Sequence, residues 1–172
     1  MPTSPTEQPV VIVMGVSGSG KTTVGEALAA RTDWAFIEGD SLHPPANVEK
    51  MRSGYPLDDD DRWPWLRRIG AWVDDSGPGG AVITCSALKR KYRDLLSAAR
   101  PRMFFLHLSG TQERIAERVA HRKHEYMPAS LLASQFADLE PLQPDEHGLT
   151  VDATRPAEAI IEEVLPRLGV PT

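Results

Sequence analysis

The sequence predicts an α/β fold, a five-stranded parallel sheet with helices on both faces. Two observations lead there. Short Val- and Ile-rich runs alternate with stretches of helical periodicity along the chain. The first such run feeds into a glycine-rich turn that opens the first helix. Residues 10–14 (VVIVM) are a continuous apolar run ended by glycine, the pattern of a parallel strand buried on both sides. Helical signals follow over residues 21–30, with Val24, Ala27 and Leu28 on one face. Residues 34–38 (WAFIE) form the second strand, which stops at Gly39-Asp40. Residues 44–53 are polar and partly helical, residues 54–61 a loop, and Asp61 is placed to cap a helix over 62–75. Gly77-Pro78-Gly79-Gly80 breaks the pattern before a third strand at 81–85. A helix near 86–99, a strand at 102–108 and a helix over 111–120 come next. Residues 122–128 interrupt the periodicity. A helix at 129–139, a brief strand at 149–151 and a closing helix at 157–168 complete the alternation.

A length of 172 residues is that of one domain, or one plus a small insertion. At that size about 70% of the unfolded surface can be buried without staples. Residues 1–9, with three prolines and little that is apolar, are expected to be a disordered tail ahead of a single domain over 10–172. The composition, 41% hydrophobic and 25% charged, is that of a globular protein. The one cysteine, Cys85, can form no internal disulfide, which suits a reducing, cytoplasmic setting. There is no signal peptide pattern and no apolar run long enough for a membrane span. A formal charge of −5 argues against a general nucleic-acid binder. Any anion must therefore be held by local basic groups.

Such a group follows the first strand. Gly15-Val16-Ser17-Gly18-Ser19-Gly20-Lys21-Thr22 fits the phosphate-loop pattern G-x-x-x-x-G-K-[ST], between a strand and a helix as that pattern requires. Its glycines allow successive N–H groups to curl around a phosphate, and the helix N-terminus adds the positive end of its dipole. Lys21 would reach the β- and γ-phosphates of a nucleoside triphosphate, and Thr22, next to Thr23, would hold Mg²⁺. This is a P-loop nucleotide-binding fold.

No Asn-Lys-x-Asp guanine signature is present and the chain is short for a motor, which leaves a small kinase as the best class. Asp40 ends the second strand at the edge where open α/β sheets bind ligands, and its carboxylate could orient an acceptor hydroxyl. His43 follows three residues on. Arg114, Arg118 and Arg122 share one helical stripe that ends where the helix pattern breaks, as a cationic arm over phosphates would. Lys89 to Arg93 (KRKYR) form a second basic cluster after the third strand, which suggests an anionic acceptor. The four tryptophans and Cys85 read as core residues.

Beyond the phosphate loop, spaced blocks resemble the gluconokinase family. They are Gly39-Asp40-x-x-His43-Pro44, Asn47-x-x-Lys50-Met51-x-x-Gly54-x-Pro56-Leu57 and Asp59-x-Asp61-Arg62-x-Pro64-Trp65-Leu66. Two more follow: Cys85-Ser86-Ala87-Leu88-Lys89-x-x-Tyr92-Arg93-Asp94-Leu95-Leu96, and Met127-Pro128-x-x-Leu131-Leu132-x-Ser134-Gln135-Phe136-x-x-Leu139-Glu140. The resemblance covers about residues 10–165. It implies an ATP:D-gluconate 6-phosphotransferase with a nucleoside-monophosphate-kinase-like fold, Mg²⁺ dependence, a mobile lid over about 122–130 and a homodimer. It further implies that Asp40 faces the acceptor hydroxyl, that His43, Arg62, Ser86, Lys89 and Arg93 surround the sugar acid, and that Arg118 and Arg122 close on the phosphates. The chain departs from the family pattern after the lid Arg122-Lys123 pair, where His124-Glu125-Tyr126 stand in place of a glycine, a histidine and an aromatic. Other small kinases, with shikimate or a nucleoside monophosphate as acceptor, and a regulatory nucleotide binder without turnover are the alternative readings.

Overall fold

The strands β1 (Val10–Met14), β2 (Ala35–Glu38), β3 (Ala81–Thr84), β4 (Met103–Ser109) and β5 (Gly148–Asp152) pair in parallel, in the order β2-β3-β1-β4-β5. This arrangement comes from a computed structural model that describes residues 8–76, 79–99, 103–120 and 129–170. The expected five-stranded parallel sheet is therefore present. The helices are α1 (Lys21–Thr32), α2 (Pro45–Arg52), α3 (Asp59–Ser76), α4 (Arg90–Ala99), α5 (Gln112–Ala120), α6 (Ala129–Asp138) and α7 (Ala157–Arg167). The tail at 1–7, and most of the expected lid with Arg122, lie outside the described residues.

Strand pleating explains the two-sided core. In β1, Val11 and Val13 join one cluster with Leu28 of α1 and Ile160, Val164 and Leu165 of α7. Val10, Ile12 and Met14 join the other, with Trp65, Leu66 and Ile69 of α3 and Tyr92 and Leu96 of α4. All five β1 residues are buried, and each such aliphatic side chain contributes about 1.5–3 kcal/mol. A third cluster of Val16, Leu88, Ile115 and Leu132 packs the phosphate loop against α5 and α6.

Two boundaries differ from expectation for local reasons. The third helix begins at Asp59 and is capped by Asp58, not Asp61. The Asp61 N–H donates to Asp58 Oδ1 at 2.8 Å while the Asp58 N–H donates to Asp61 Oδ2 at 3.0 Å, a reciprocal cap. Residues 86–89 are a loop, with Ala87 at φ 44°, and α4 starts only at Arg90. Of the four tryptophans only Trp65 is fully buried; Trp34, Trp63 and Trp72 are half-buried.

Candidate active site

The phosphate loop joins β1 to α1. Its first glycine is required by crowding: at φ 148°, a Cβ on Gly15 would stand 2.7 Å from Ser19 Oγ and 2.8 Å from the Leu108 carbonyl. Gly18 and Gly20 also have positive φ, so the loop curls around its own N–H groups. Ser19 Oγ is buried and has no hydrogen-bond partner, an orphan polar atom of the kind a bound phosphate would satisfy. Lys21 Nζ donates to the carbonyls of Gly15 and Val16, at 3.0 Å each. Thr22 and Thr23 are exposed on the first turn of α1. The Arg118 guanidinium lies alongside Gly20, 3.4 Å from where a Cβ would be, and donates to the Ala153 carbonyl at 3.1 Å. Arg118 is thus placed at the nucleotide end of the loop, whereas Arg114 lies one turn back on the exposed side of α5.

Asp40 is delivered by a tight crossing. A Cβ on Gly39 would stand 2.0 Å from the Thr84 carbonyl, so only glycine lets the chain leave β2 this close to β3. The following 3-10 turn, Gly39–Leu42, carries Asp40 outward and ends at His43. Between this turn and the phosphate loop lies a cleft of about 100 Å³. Ser17, Lys21, Asp40, His43, Arg62, Ser86 and Gln135 line it, with Met51, Leu57 and Trp65 supplying apolar wall. The fold places it at the carboxyl ends of β1, β2 and β3, where the strand order turns back on itself.

His43 is buried and stacks on the Trp65 indole, ring centroids 4.1 Å apart and planes 17° from parallel. Burial lowers its pKa; Asp40 opposes the shift and Arg62 adds to it. Arg62 is buried too. It donates to the Tyr92 hydroxyl at 2.9 Å and pairs with Asp138 of α6 at 3.3 Å. Tyr92 in turn donates to Asp59, which also pairs with Lys89 and Lys91. Those contacts hold the Asp59 carboxyl well below the usual carboxylate range, the Lys91 and Tyr92 hydrogen bonds acting most strongly.

The sequence-predicted residues divide accordingly. Lys21, Asp40, His43, Arg62 and Ser86 meet in one cleft. Lys89 stands beside the Tyr92 ring, paired with Asp59, and is not among the lining residues. Arg93 is not among the lining residues either. It is fully buried, bonded to Glu146 through Nε at 2.6 Å and Nη2 at 3.0 Å, and donates to the Ala87 carbonyl at 2.9 Å. It bolts the segment after α6 to α4 and leaves no donor for the cleft. Arg122 lies outside the described residues. Gln135 and Trp65, both in the spaced blocks, line the cleft as well, and no short motif marks either as a site residue. Gln135 Oε1 takes the Ser17 N–H at 2.7 Å, so α6 reaches the phosphate loop itself.

The family model described as an AAA domain matches residues 10–142. A gluconokinase from Gluconobacter oxydans (strain 621H) is 46% identical over 157 residues, covering 90% of this chain and 88% of the relative. The chain belongs to the gluconokinase family. A thermosensitive gluconokinase of Escherichia coli (strain K12) is 45% identical over 140 residues, covering 80% of this chain and 75% of that one. The crystal structure of a gluconokinase from Sinorhizobium meliloti 1021 superposes with a TM-score of 0.86 at 45% identity, covering 94% of this chain and 92% of that one. The gluconokinase fold thus extends over almost the whole chain, cleft included. Among the described residues no helix is long and apolar enough to cross a membrane.

Proposed function

We propose that this chain transfers the γ-phosphoryl group of ATP to the 6-hydroxyl of D-gluconate. The observation that carries the reading is the cleft itself. One short gap brings the phosphate-loop lysine, a strand-end carboxylate and a buried arginine together in a chain 46% identical to a gluconokinase. In the reaction the acceptor oxygen bonds to the γ-phosphorus as the bond to the β,γ-bridging oxygen breaks. ADP leaves, and the hydroxyl proton passes to the Asp40 carboxylate and then to solvent. Such a transfer asks mainly for positioning and charge neutralisation.

Lys21 would release the Gly15 and Val16 carbonyls to meet the phosphates. Arg62, still holding Tyr92, would offer its fork to the substrate carboxylate. Ser86 would contact a substrate hydroxyl, and Lys89 would add positive potential from behind Tyr92. Arg118, together with Arg122, would cover the phosphates. Mg²⁺ fits the donor set: Thr22 offers one exposed hydroxyl, and no three acidic or histidine side chains cluster among the described residues. That is the pattern of an ion held chiefly by substrate phosphates and water; when bound it neutralises phosphate charge. We further propose a homodimer working in the cytoplasm, where a lone reduced cysteine is at home.

A coupled ADP-release assay over sugar acids, shikimate and nucleoside monophosphates tests this. Gluconate with ATP and Mg²⁺ should give turnover that chelation of the metal abolishes. Acceptor-dependent turnover only with shikimate or a nucleotide would overturn it.

A further inference from the structure

The amide of Asn47 settles the state of His43 by donor counting. Asn47 Nδ2 donates to the Asp61 carbonyl at 2.8 Å. A backbone carbonyl only accepts, so this contact fixes the amide with its NH₂ toward Asp61. The same nitrogen lies 3.2 Å from His43 Nδ1. An NH₂ group only donates, so Nδ1 must be the accepting, unprotonated nitrogen, and the ring proton sits on Nε2. Nε2 faces Asp40 Oδ1 at 3.7 Å. That is too long for a direct hydrogen bond and short enough for one oxygen to lie within about 2.8 Å of both. Trp65 supports both partners: its ring stacks on His43, and its Nε1–H donates to the Gly39 carbonyl at 2.8 Å, next to Asp40.

We propose that Asn47 is a positioning residue that locks His43 as the neutral Nε2–H tautomer, so that His43 and Asp40 present one donor and one acceptor to a single substrate hydroxyl. A hydroxyl satisfies both groups at once. A carboxylate or an aldehyde oxygen cannot, because it has no proton for Asp40. The pair therefore selects the alcohol end of the acceptor and leaves the carboxylate to Arg62. This rests on the sugar-acid reading of the cleft. The charged groups around the ring are Asp40 on its own turn, Arg62 from α3 and Lys21 from α1.

Two measurements test it. In the wild-type protein without substrate, long-range ¹H–¹⁵N spectra of the histidine rings should show His43 with a bare Nδ1 and a protonated Nε2. This readout is independent of which acceptor is used; a protonated Nδ1 overturns the proposal. The second measurement is the pH profile of kcat/KM for the acceptor in Asn47→Asp. A carboxylate there draws a proton onto Nδ1. The ring then keeps its Nε2–H only while it is doubly protonated. Activity of the variant should fall as pH rises through the raised pKa of His43, where the wild type stays level. Asn47→Ala, which cannot hold either tautomer, should lose about 10- to 100-fold in kcat/KM at all pH values. An Asn47→Asp profile parallel to the wild type overturns the lock. Wild-type inactivity toward gluconate, with the expected ring spectrum, would instead fault the substrate reading alone.

Discussion

If Asp40 takes the hydroxyl proton as proposed, a single atom there matters most. Replacing one carboxylate oxygen by an amide in Asp40→Asn keeps the size and removes the proton acceptor. The expected loss in kcat is on the order of 10²–10⁴, the usual range for a general base. ATP affinity should hold, because Asp40 lies across the cleft from the phosphate loop, and a nucleotide titration beside the kinetic assay checks this. Normal turnover in the variant would remove Asp40 from the chemistry. At this scale much of the site is legible in the sequence, because Lys21, Thr22 and Asp40 belong to short motifs whose geometry is set by their neighbours. Asn47 is legible only in part. It lies only four residues after His43, in the first turn of α2, but the Asp61 carbonyl that orients its amide lies 14 residues away.

Elements are joined by contacts that no local pattern announces. The basic cluster after β3 reads as an anion site, yet Arg93 goes inward to Glu146, 53 residues on, with both side chains almost wholly buried. Arg90 likewise pairs with Asp145 at 2.6 Å. Charge alone cannot tell an inward arginine from one facing a ligand; the distant acidic partner decides. Arg93→Met should therefore act on stability. Removing one member of a buried pair costs about 3–5 kcal/mol, since the other charge is left uncompensated. Urea denaturation should show a lower midpoint, while the acceptor KM of the folded variant changes little. A raised KM with unchanged stability would return Arg93 to the substrate. The cap of α3 teaches the same lesson on a smaller scale. Four consecutive aspartates, Asp58 to Asp61, offer several N-caps, and the choice of Asp58 follows from Asp61 being held by Lys50 at 2.6 Å.

Across the whole molecule, the alternation of apolar runs and helices is enough to specify a parallel sheet with two covered faces, because the central strands β1, β3 and β4 bury both sides. One of the polar side chains buried among these elements lies on β4. His107 of β4 is buried, its Nδ1 has no partner, and burial, with Arg93 nearby, lowers its pKa to about 4. The unfolded chain takes up this proton near pH 6.5, so the neutral ring stabilises the fold above that pH. The contribution, on the order of 3 kcal/mol, is lost as pH falls from 6.5 toward 4. In His107→Leu, Tm should decline less steeply over that window. An unchanged slope would mean that the ring is charged in the fold or that the carboxylates dominate.

Cys85 lies beneath the same cleft, at the end of β3, next to the Gly39 crossing and almost wholly shielded from solvent. Burial pushes its thiol up to about 12. A thiolate there forms only when the floor of the cleft lifts, so the native protein carries one slow, silent reporter of that event. Under native conditions the rate of alkylation by a small maleimide should measure how often the floor opens, and it should fall when an ATP analogue and gluconate are bound together. Reaction as fast as that of a free thiol would show that the floor is already open.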